Sequence, residues 1–417
     1  MTVQSIEAVV DNEVVQPRLQ ALACEISERG ALRSRQWRRV FTTVRRHVFL
    51  PRYLYDEEPG SIPARWRVVE GTNPDDHHEW FTSVYSDTTL IVDLKGQSIP
   101  PERGGGSHPI VTSSSTMPSL MMRMLEDLDI HDGHRVLEIG TGTGYNAALL
   151  SERLGDTHVT SVDIDPELVA IAGRRLAAHG YRPHLVAADG VAGVSDHAPY
   201  DRIIATCSVD RIPYAWITQT RPGGRIMVNL RGPLMRSALA LLTVHSNGTA
   251  SGPFLSTGAI FMPLRHDPSA PYDYTVRITR PDTEPTSGLT SLDPNNLHHN
   301  AAWGFFAQTY LADAAFRLVT AEDDEMSLGT EIATPNHSWA LIWHKPRDGC
   351  YPTSQAGSRR LVNLLERAYH QWSALHQPRW DTFGLTVTPT DQWVYYHQPD
   401  NTYLRWDLPL PAPVGVP

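Results

Sequence analysis

Cysteine is scarce in this sequence: three in 417 residues, Cys24, Cys207 and Cys350, odd in number and far apart. That excludes a disulfide framework and implies a reduced, cytoplasmic protein. No apolar run approaches the ~20 residues that a membrane span needs. The first residues, Met1 to Val15, are acidic and polar, unlike a secretory signal. Positive charge is also short. With 36 Lys and Arg against 46 Asp and Glu, the net charge of −10 argues against nonspecific nucleic-acid binding. One stretch departs from that balance: residues 29–52 hold eight arginines and no carboxylate. Such a run is ordinarily a solvated helix face with counter-charges elsewhere in the fold; the alternative is a surface that receives an acidic peptide.

What is present is an ordinary globular composition, 41% hydrophobic and 20% charged, in a chain long enough for two or three domains. Trp37, Val40, Phe41, Val44 and Val48 predict a helix over 35–48, stopped by Pro51. Residues 56–76 read as a loop and 80–92 as an extended apolar stretch. Pro100-Pro101 and Gly104-Gly105-Gly106 read as a flexible joint. A regular alternation follows. Helix 118–128, with N-cap oxygens offered by Ser113-Ser114-Ser115-Thr116, precedes strand 135–139, helix 145–154, strand 158–162 and helix 166–179. Strands 184–187, 201–205 and 225–230 complete it, the last after a turn at Pro222-Gly223-Gly224. Such an alternation predicts a parallel sheet covered on both faces. Beyond residue 244 it ends. Strand-like runs at 274–278, 339–343, 384–387 and 393–396 surround a helix at 359–375, an additional C-terminal α+β domain. The expected division is a helical lead-in over 1–79, a cofactor-binding domain over 80–244, and 245–417.

Open α/β sheets bind ligands at the carboxyl ends of their strands. The first strand runs through Leu137-Glu138-Ile139 into Gly140-Thr141-Gly142-Thr143-Gly144. A dinucleotide fingerprint needs glycine where Tyr145 stands, and no Lys-Ser/Thr of a phosphate loop follows. Asp163 closes the second strand, placed to accept both ribose hydroxyls of a nucleoside. Asp189-Gly190 closes the third, within reach of an adenine amino group. Three carboxylates, Glu138, Asp163 and Asp189, favour a sulfonium over a phosphorylated cofactor by Coulomb preference. The expected cofactor is therefore S-adenosyl-L-methionine, leaving as S-adenosyl-L-homocysteine. The expected contacts are Ser115, Glu138, Gly140, Thr141, Gly142, Gly144, Asp163, Ile164, Asp189 and Gly190, in a Rossmann-like α/β fold.

Six ordered blocks carry a resemblance. Tyr85-Ser86-Asp87, the run Ser113 to Ser119, Leu137 to Tyr145, Asp189-Gly190, Pro199-Tyr200-Asp201 and Arg221-Pro222-Gly223-Gly224 are similar to the protein-L-isoaspartate O-methyltransferase family. The resemblance implies a class I methyltransferase fold and a hydroxyl loop that closes over the cofactor and holds the acceptor carboxylate. By position, Ser114 and Thr116 are its catalytic hydroxyls, and Asp87, Ser119 and Cys207 its substrate side. Ser119 and Met121 depart from the polar residue and histidine usual there, which points to another substrate. The entry helix Arg38 to Phe49, Ser113 to Leu120, Ile204 to Val209, Trp216-x-x-Gln219-Thr220-Arg221-Pro222-Gly223-Gly224 and Phe383 to Pro389 more closely resemble methyltransferases of ribosomal-peptide clusters, beside graspetide ligases and lanthipeptide synthetases. That resemblance implies a modified precursor peptide as partner, with neither nucleic acid nor membrane, and esterification of an aspartate so that an aspartimide forms.

Such chemistry is physically sensible. An aspartate of pKa about 3.9 is ionised at neutral pH and needs no general base. Alignment then does most of the catalysis. The rivals are repair of isoaspartyl damage and a cofactor-bound escort of the precursor that transfers no methyl group. Other residues read blandly. Thr116 also suits a plain helix cap. His77-His78 and His298-His299 read as surface loops rather than metal ligands. Cys207 reads as pocket lining, not a nucleophile. Trp339, Trp343, Trp372 and Trp380 read as core of the C-terminal domain.

Overall fold

The computed structural model describes residues 12–58, 65–99, 106–234, 236–267, 280, 282–321, 324–397 and 403–408. The chain divides into two units, one of residues 1–207, 215–228 and 261–272, the other of 208–214, 229–260 and 273–417. No described helix is long and apolar enough to cross a membrane.

The first unit opens with helices α1 (Asn12–Glu28) and α2 (Arg35–Thr43). The Ser34 hydroxyl caps α2 by accepting from Trp37 N at 3.2 Å, and Trp37, Val40 and Phe41 form its buried stripe. The helix expected as far as Val48 ends early. Val44 is extended (φ −80°, ψ 112°), and Arg46–Phe49 form a separate 3-10 turn whose four residues are all buried. Strands β1 (Arg52–Asp56) and β2 (Trp66–Glu70) follow, so the expected 56–76 loop contains a strand. The stretch expected to be extended from Trp80 is helix α3 (His77–Val84) and then strand β3 (Leu90–Ile99). Trp80, Phe81 and Val84 fall at helical spacing and enter one core with Leu50, Tyr53 and Val69. β3 pairs antiparallel with β4 (Gly106–Ser115), giving the order β2-β1-β3-β4. Of the expected joint, residues 100–105 lie outside the described residues. Ser113, Ser114 and Ser115 are strand residues of β4, not caps; helix α4 (Pro118–Asp127) begins after Met117, which makes no side-chain cap bond.

The alternation then runs as its periodicity predicts. β5 (Val136–Ile139), α5 (Tyr145–Leu154), β6 (Val159–Asp163), α6 (Pro166–Ala178), β7 (His184–Ala187), β8 (Tyr200–Val209), α7 (Tyr214–Thr218) and β9 (Thr220–Arg231) follow in turn. The strands lie in the order β9-β8-β5-β6-β7, and β5/β6, β6/β7 and β5/β8 are parallel. Pro222-Gly223-Gly224, expected as a turn, lies within β9. The chain steps from β5 to β6 to β7, then returns to the opposite side of β5 at β8. That reversal opens a crevice at the carboxyl ends of β5, β6 and β8, the ligand position of Rossmann-like sheets.

The second unit is α+β. It comprises β10 (Ser237–Val244), β11 (Ala250–Pro253), β12 (Thr286–Thr290), α8 (Pro294–His299), α9 (Ala301–Tyr310), β13 (Ala315–Ala321), β14 (Asp324–Ala333), β15 (Trp339–Trp343), β16 (Tyr351–Ala356), α10 (Leu361–Ala374), β17 (Phe383–Val387), β18 (Gln392–His397) and β19 (Tyr403–Asp407). β12-β16-β15-β14-β13 form one antiparallel sheet, and β19-β18-β17-β11-β10 lie side by side as a second group. The strand expected at 274–278 lies outside the described residues. Trp339 and Trp372 are buried as expected, but Trp343 is exposed, so it is not core. Neither histidine pair sits in a surface loop. His77 and His78 open α3, and His298 and His299 close α8, with His298 bonded to the Thr330 hydroxyl at 3.0 Å.

Candidate functional site

The crevice is built from the glycine loop after β5. Gly140, Gly142 and Gly144 hold φ of +99°, +50° and +86°, the left-handed region that favours glycine. A Cβ on Gly140 would lie 2.5 Å from Thr206 Oγ1, which donates to the carbonyls of Ile139 and Gly140. A Cβ on Gly144 would press on Ala172 of α6 at 3.1 Å. The loop is tied to β6 by Asp163, whose carboxylate accepts from Gly142 N at 2.9 Å and from Asp165 N at 3.1 Å. Burial raises the Asp163 carboxyl above its usual range against those two bonds.

Beneath the loop, Glu138 is fully buried. It accepts from Asn146 Nδ2 at 2.7 Å and from Ser161 Oγ at 2.6 Å, and Ser161 Oγ bonds the Thr141 hydroxyl at 2.7 Å. Burial lifts its carboxyl to about 7, although both hydrogen bonds pull the other way. The folded protein therefore keeps a proton that the unfolded chain releases near pH 4.5. This contribution to stability is complete below pH 4.5 and lost as pH rises through 7, amounting to about 3 kcal/mol. Glu138→Gln should remove that slope. Urea unfolding at pH 5 and pH 7.5 checks it, and a variant that tracks the wild type at both values would refute it.

The opposite wall comes from β4. Thr112, Ser113 and Ser114 line the crevice with Thr116 just beyond the strand. A Cβ on Gly142 would sit 3.6 Å from Ser113 Oγ and 3.8 Å from the Ser114 carbonyl, so loop and strand nearly touch. Among the described residues the Thr116 hydroxyl has no hydrogen-bond partner, whereas its carbonyl accepts from Arg46 at 3.3 Å. Helix α4 is capped from elsewhere: Asp87 accepts from Ser119 N at 2.8 Å with one oxygen and pairs with Arg29 at 2.8 Å with the other. Asp87→Ala should cost about 1–3 kcal/mol through loss of that charge-assisted cap. Denaturant midpoints would show it, with cofactor affinity unchanged.

Ser114, Thr116, Gly140, Gly142, Asp163, Ile164, Gly190 and Cys207 share one open cavity of about 640 Å³. A smaller hollow of about 340 Å³ brings Ser115, Glu138 and Thr141 to the same loop, with Tyr145 and Asn146. The Tyr145 hydroxyl and Asn146 Oδ1 are buried without protein partners among the described residues, a polar lining that suits a charged organic ligand end.

The sequence profile of the family described as Protein-L-isoaspartate(D-aspartate) O-methyltransferase (PCMT) matches residues 78–266. A protein-L-isoaspartate O-methyltransferase of Thermotoga maritima is 41% identical over 132 residues, 31% of this chain and 42% of its own length. One of Methanothrix thermoacetophila is 39% identical over 149 residues, 35% of this chain and 69% of its own. The chain belongs to this family. A solved structure bearing the family's name covers 88% of this chain and 96% of its own, at 22% identity and a TM-score of 0.48. The protein-L-isoaspartate O-methyltransferase fold, Rossmann-like and of class I, accounts for the first unit's parallel sheet; residues 267–417 lie outside the matched segment.

Within this family frame several expected residues stand apart from the cavity. Gly144 shapes the loop from behind, at the start of α5. Asp189 turns its carboxylate to Val191 N and to His266, both at 2.9 Å, while its neighbour Gly190 lines the wall. Asp87 and Ser119 meet each other in the α4 cap instead of lining the cavity. Cys207 does line it, and burial pushes its thiol well above the usual range, which disfavours the thiolate. The sequence reading missed Thr112, Ser113, Thr206, the segment Met262-Pro263-Leu264-Arg265 and, behind the wall, Arg46. Nothing in local periodicity announces the 262–265 segment. Arg46 is hidden among seven other arginines in residues 29–52.

Proposed function

We propose that this protein is an S-adenosylmethionine-dependent O-methyltransferase that esterifies a carboxylate. The acceptor is an aspartate side chain of a cyclised, ribosomally made peptide. One observation carries the reading: Gly140 and Gly142 of the glycine loop, Asp163, and Thr116, whose hydroxyl is unpartnered among the described residues, line a single cavity. Asp163 and Ile164 would hold the ribose, Gly190 and Leu264 the adenine face, and Ser115, Thr141 and Asn146 the amino-acid end. When bound, the cofactor supplies an electrophilic methyl group on a sulfonium.

The chain's own work is alignment and charge. Glycines at 140 and 142 let backbone approach without side-chain obstruction. Thr116 donates a hydrogen bond that fixes one carboxylate oxygen of the acceptor and leaves the other to attack the methyl carbon. A neutral donor orients that acid without quenching its nucleophilicity as a directly bonded arginine would. In the resulting ester, the next residue's backbone nitrogen attacks the carbonyl carbon, loses its proton and expels methanol. A five-membered succinimide remains, one water lighter than the starting peptide.

The names of the relatives favour a second reading, repair of isoaspartyl residues. Two probes separate them: a linear isoaspartyl peptide, and lactam-, ester- and thioether-bridged peptides each carrying one free aspartate. Incubation with methyl-labelled cofactor and mass spectrometry should give a methylene-mass gain and then a net loss of water on a bridged peptide. Faster labelling of the linear isoaspartyl peptide would support repair instead.

A further inference from the structure

Arg46 is the least expected residue near the site. It is fully buried, and its guanidinium ties the connection after α3 to the end of the hydroxyl wall. Nη1 donates to the carbonyls of Val84 at 3.0 Å and Ser86 at 3.2 Å. Nη2 donates to the Thr88 carbonyl at 3.0 Å, to Ser115 Oγ at 3.4 Å and to the Thr116 carbonyl at 3.3 Å. Among the described residues Nε has no protein partner. Every acceptor is neutral. The carboxylate whose field Arg46 feels is Asp87, already engaged by Arg29 at 2.8 Å. Burial draws the Arg46 pKa down to about 10, so it remains a cation at neutral pH. Its neighbour His47 is held down to about 4 by burial and the adjacent Arg45, and adds no charge there.

A buried cation with only dipoles around it is costly unless something else gains from its field. Charge around the cavity is also segregated. The Asp163 carboxylate stands on the glycine-loop side, and Arg46 stands behind Ser115 and Thr116. Resting on the carboxylate-transfer reading above, we infer that Arg46 is a positioning and specificity-determining residue. It fixes the Ser115–Thr116 segment and, from one layer back, biases the wall toward an ionised acid over its neutral isostere. The layer matters. A guanidinium in direct contact would hold the attacking oxygen by strong bidentate bonds, whereas one screened by a carbonyl and a hydroxyl attracts the acid and leaves its lone pairs free. Arg46 thereby supplies the charge that Thr116 lacks.

The test uses the full-length protein saturated with S-adenosylhomocysteine, so that no turnover occurs. Calorimetry measures the affinity of whichever probe class is methylated, bridged aspartyl or linear isoaspartyl, against the same peptide with the carboxylate replaced by its amide. Wild type should prefer the acid by roughly tenfold or more. Arg46→Gln, likewise saturated with S-adenosylhomocysteine, should bring that ratio close to one. Arg46→Lys should restore most of the preference while kcat stays low, because an ammonium keeps the charge but loses the fork. A wild-type ratio near one overturns the inference without any variant having to fold. So does a folded Arg46→Gln that keeps the preference. Methylation of one probe with either of these results sinks the role of Arg46 alone; absence of methylation on both probes sinks the carboxylate reading with it.

Discussion

Asp163→Ala is expected to weaken S-adenosylhomocysteine binding by about a hundredfold or more. The carboxylate does two things at once. It accepts from Gly142 N at 2.9 Å, which holds the glycine loop against β6, and it lines the cavity where ribose hydroxyls would sit. Charge-assisted hydrogen bonds contribute about 1.5–3 kcal/mol each, and two of them account for a factor near a hundred before the loop relaxes. Asp163→Asn keeps the shape and one acceptor, so a loss of roughly tenfold is expected. Calorimetry reads both, and a denaturant midpoint separates lost binding from lost folding. An alanine variant that binds the nucleoside as tightly as wild type would remove the glycine loop from the cofactor site.

Thr116→Val should lower methyl-transfer kcat about tenfold to a hundredfold while cofactor affinity stays within about twofold. The range is that of one hydrogen bond to a charged group. A plain helix cap would behave differently, costing stability instead of turnover. The structure makes the distinction usable: α4 takes its cap from Asp87, and the Thr116 hydroxyl is unpartnered among the described residues. Thr116→Ser should retain most of the activity. Equal losses of cofactor affinity and turnover in the valine variant would contradict a role toward the acceptor.

The parallel sheet and the glycine loop are legible in the sequence because their causes are local. β5, β6 and β7 are short runs built on Val, Leu or Ile and separated by helices with regular stripes, and the loop's three glycines are needed for their own backbone geometry. Asp163 is legible for the same reason, as the residue that ends a strand. What escapes is set by partners far along the chain. Ser113 to Ser115 look like caps until β3 pairs with β4 and makes them strand, and the cap comes instead from Asp87, 32 positions before Ser119. Trp80, Phe81 and Val84 suit a helical face as well as an extended apolar run; the helix wins because that face closes on Leu50 and Val69. Arg46 reads as one more surface charge, since burial of an arginine depends on carbonyls some 40 residues away. Asp189 shows the converse. Its position at the end of β7 is legible, but the bonds its carboxylate makes to Val191 N and His266 are not.

The most direct measurement follows a labelled methyl group from S-adenosylmethionine onto a bridged peptide with one free aspartate, by mass spectrometry over time. Early appearance of the label on that aspartate, its later departure as methanol and a product one water lighter than the start are predicted. Labelled cofactor that binds yet never delivers its methyl group to any carboxylate would contradict the reading.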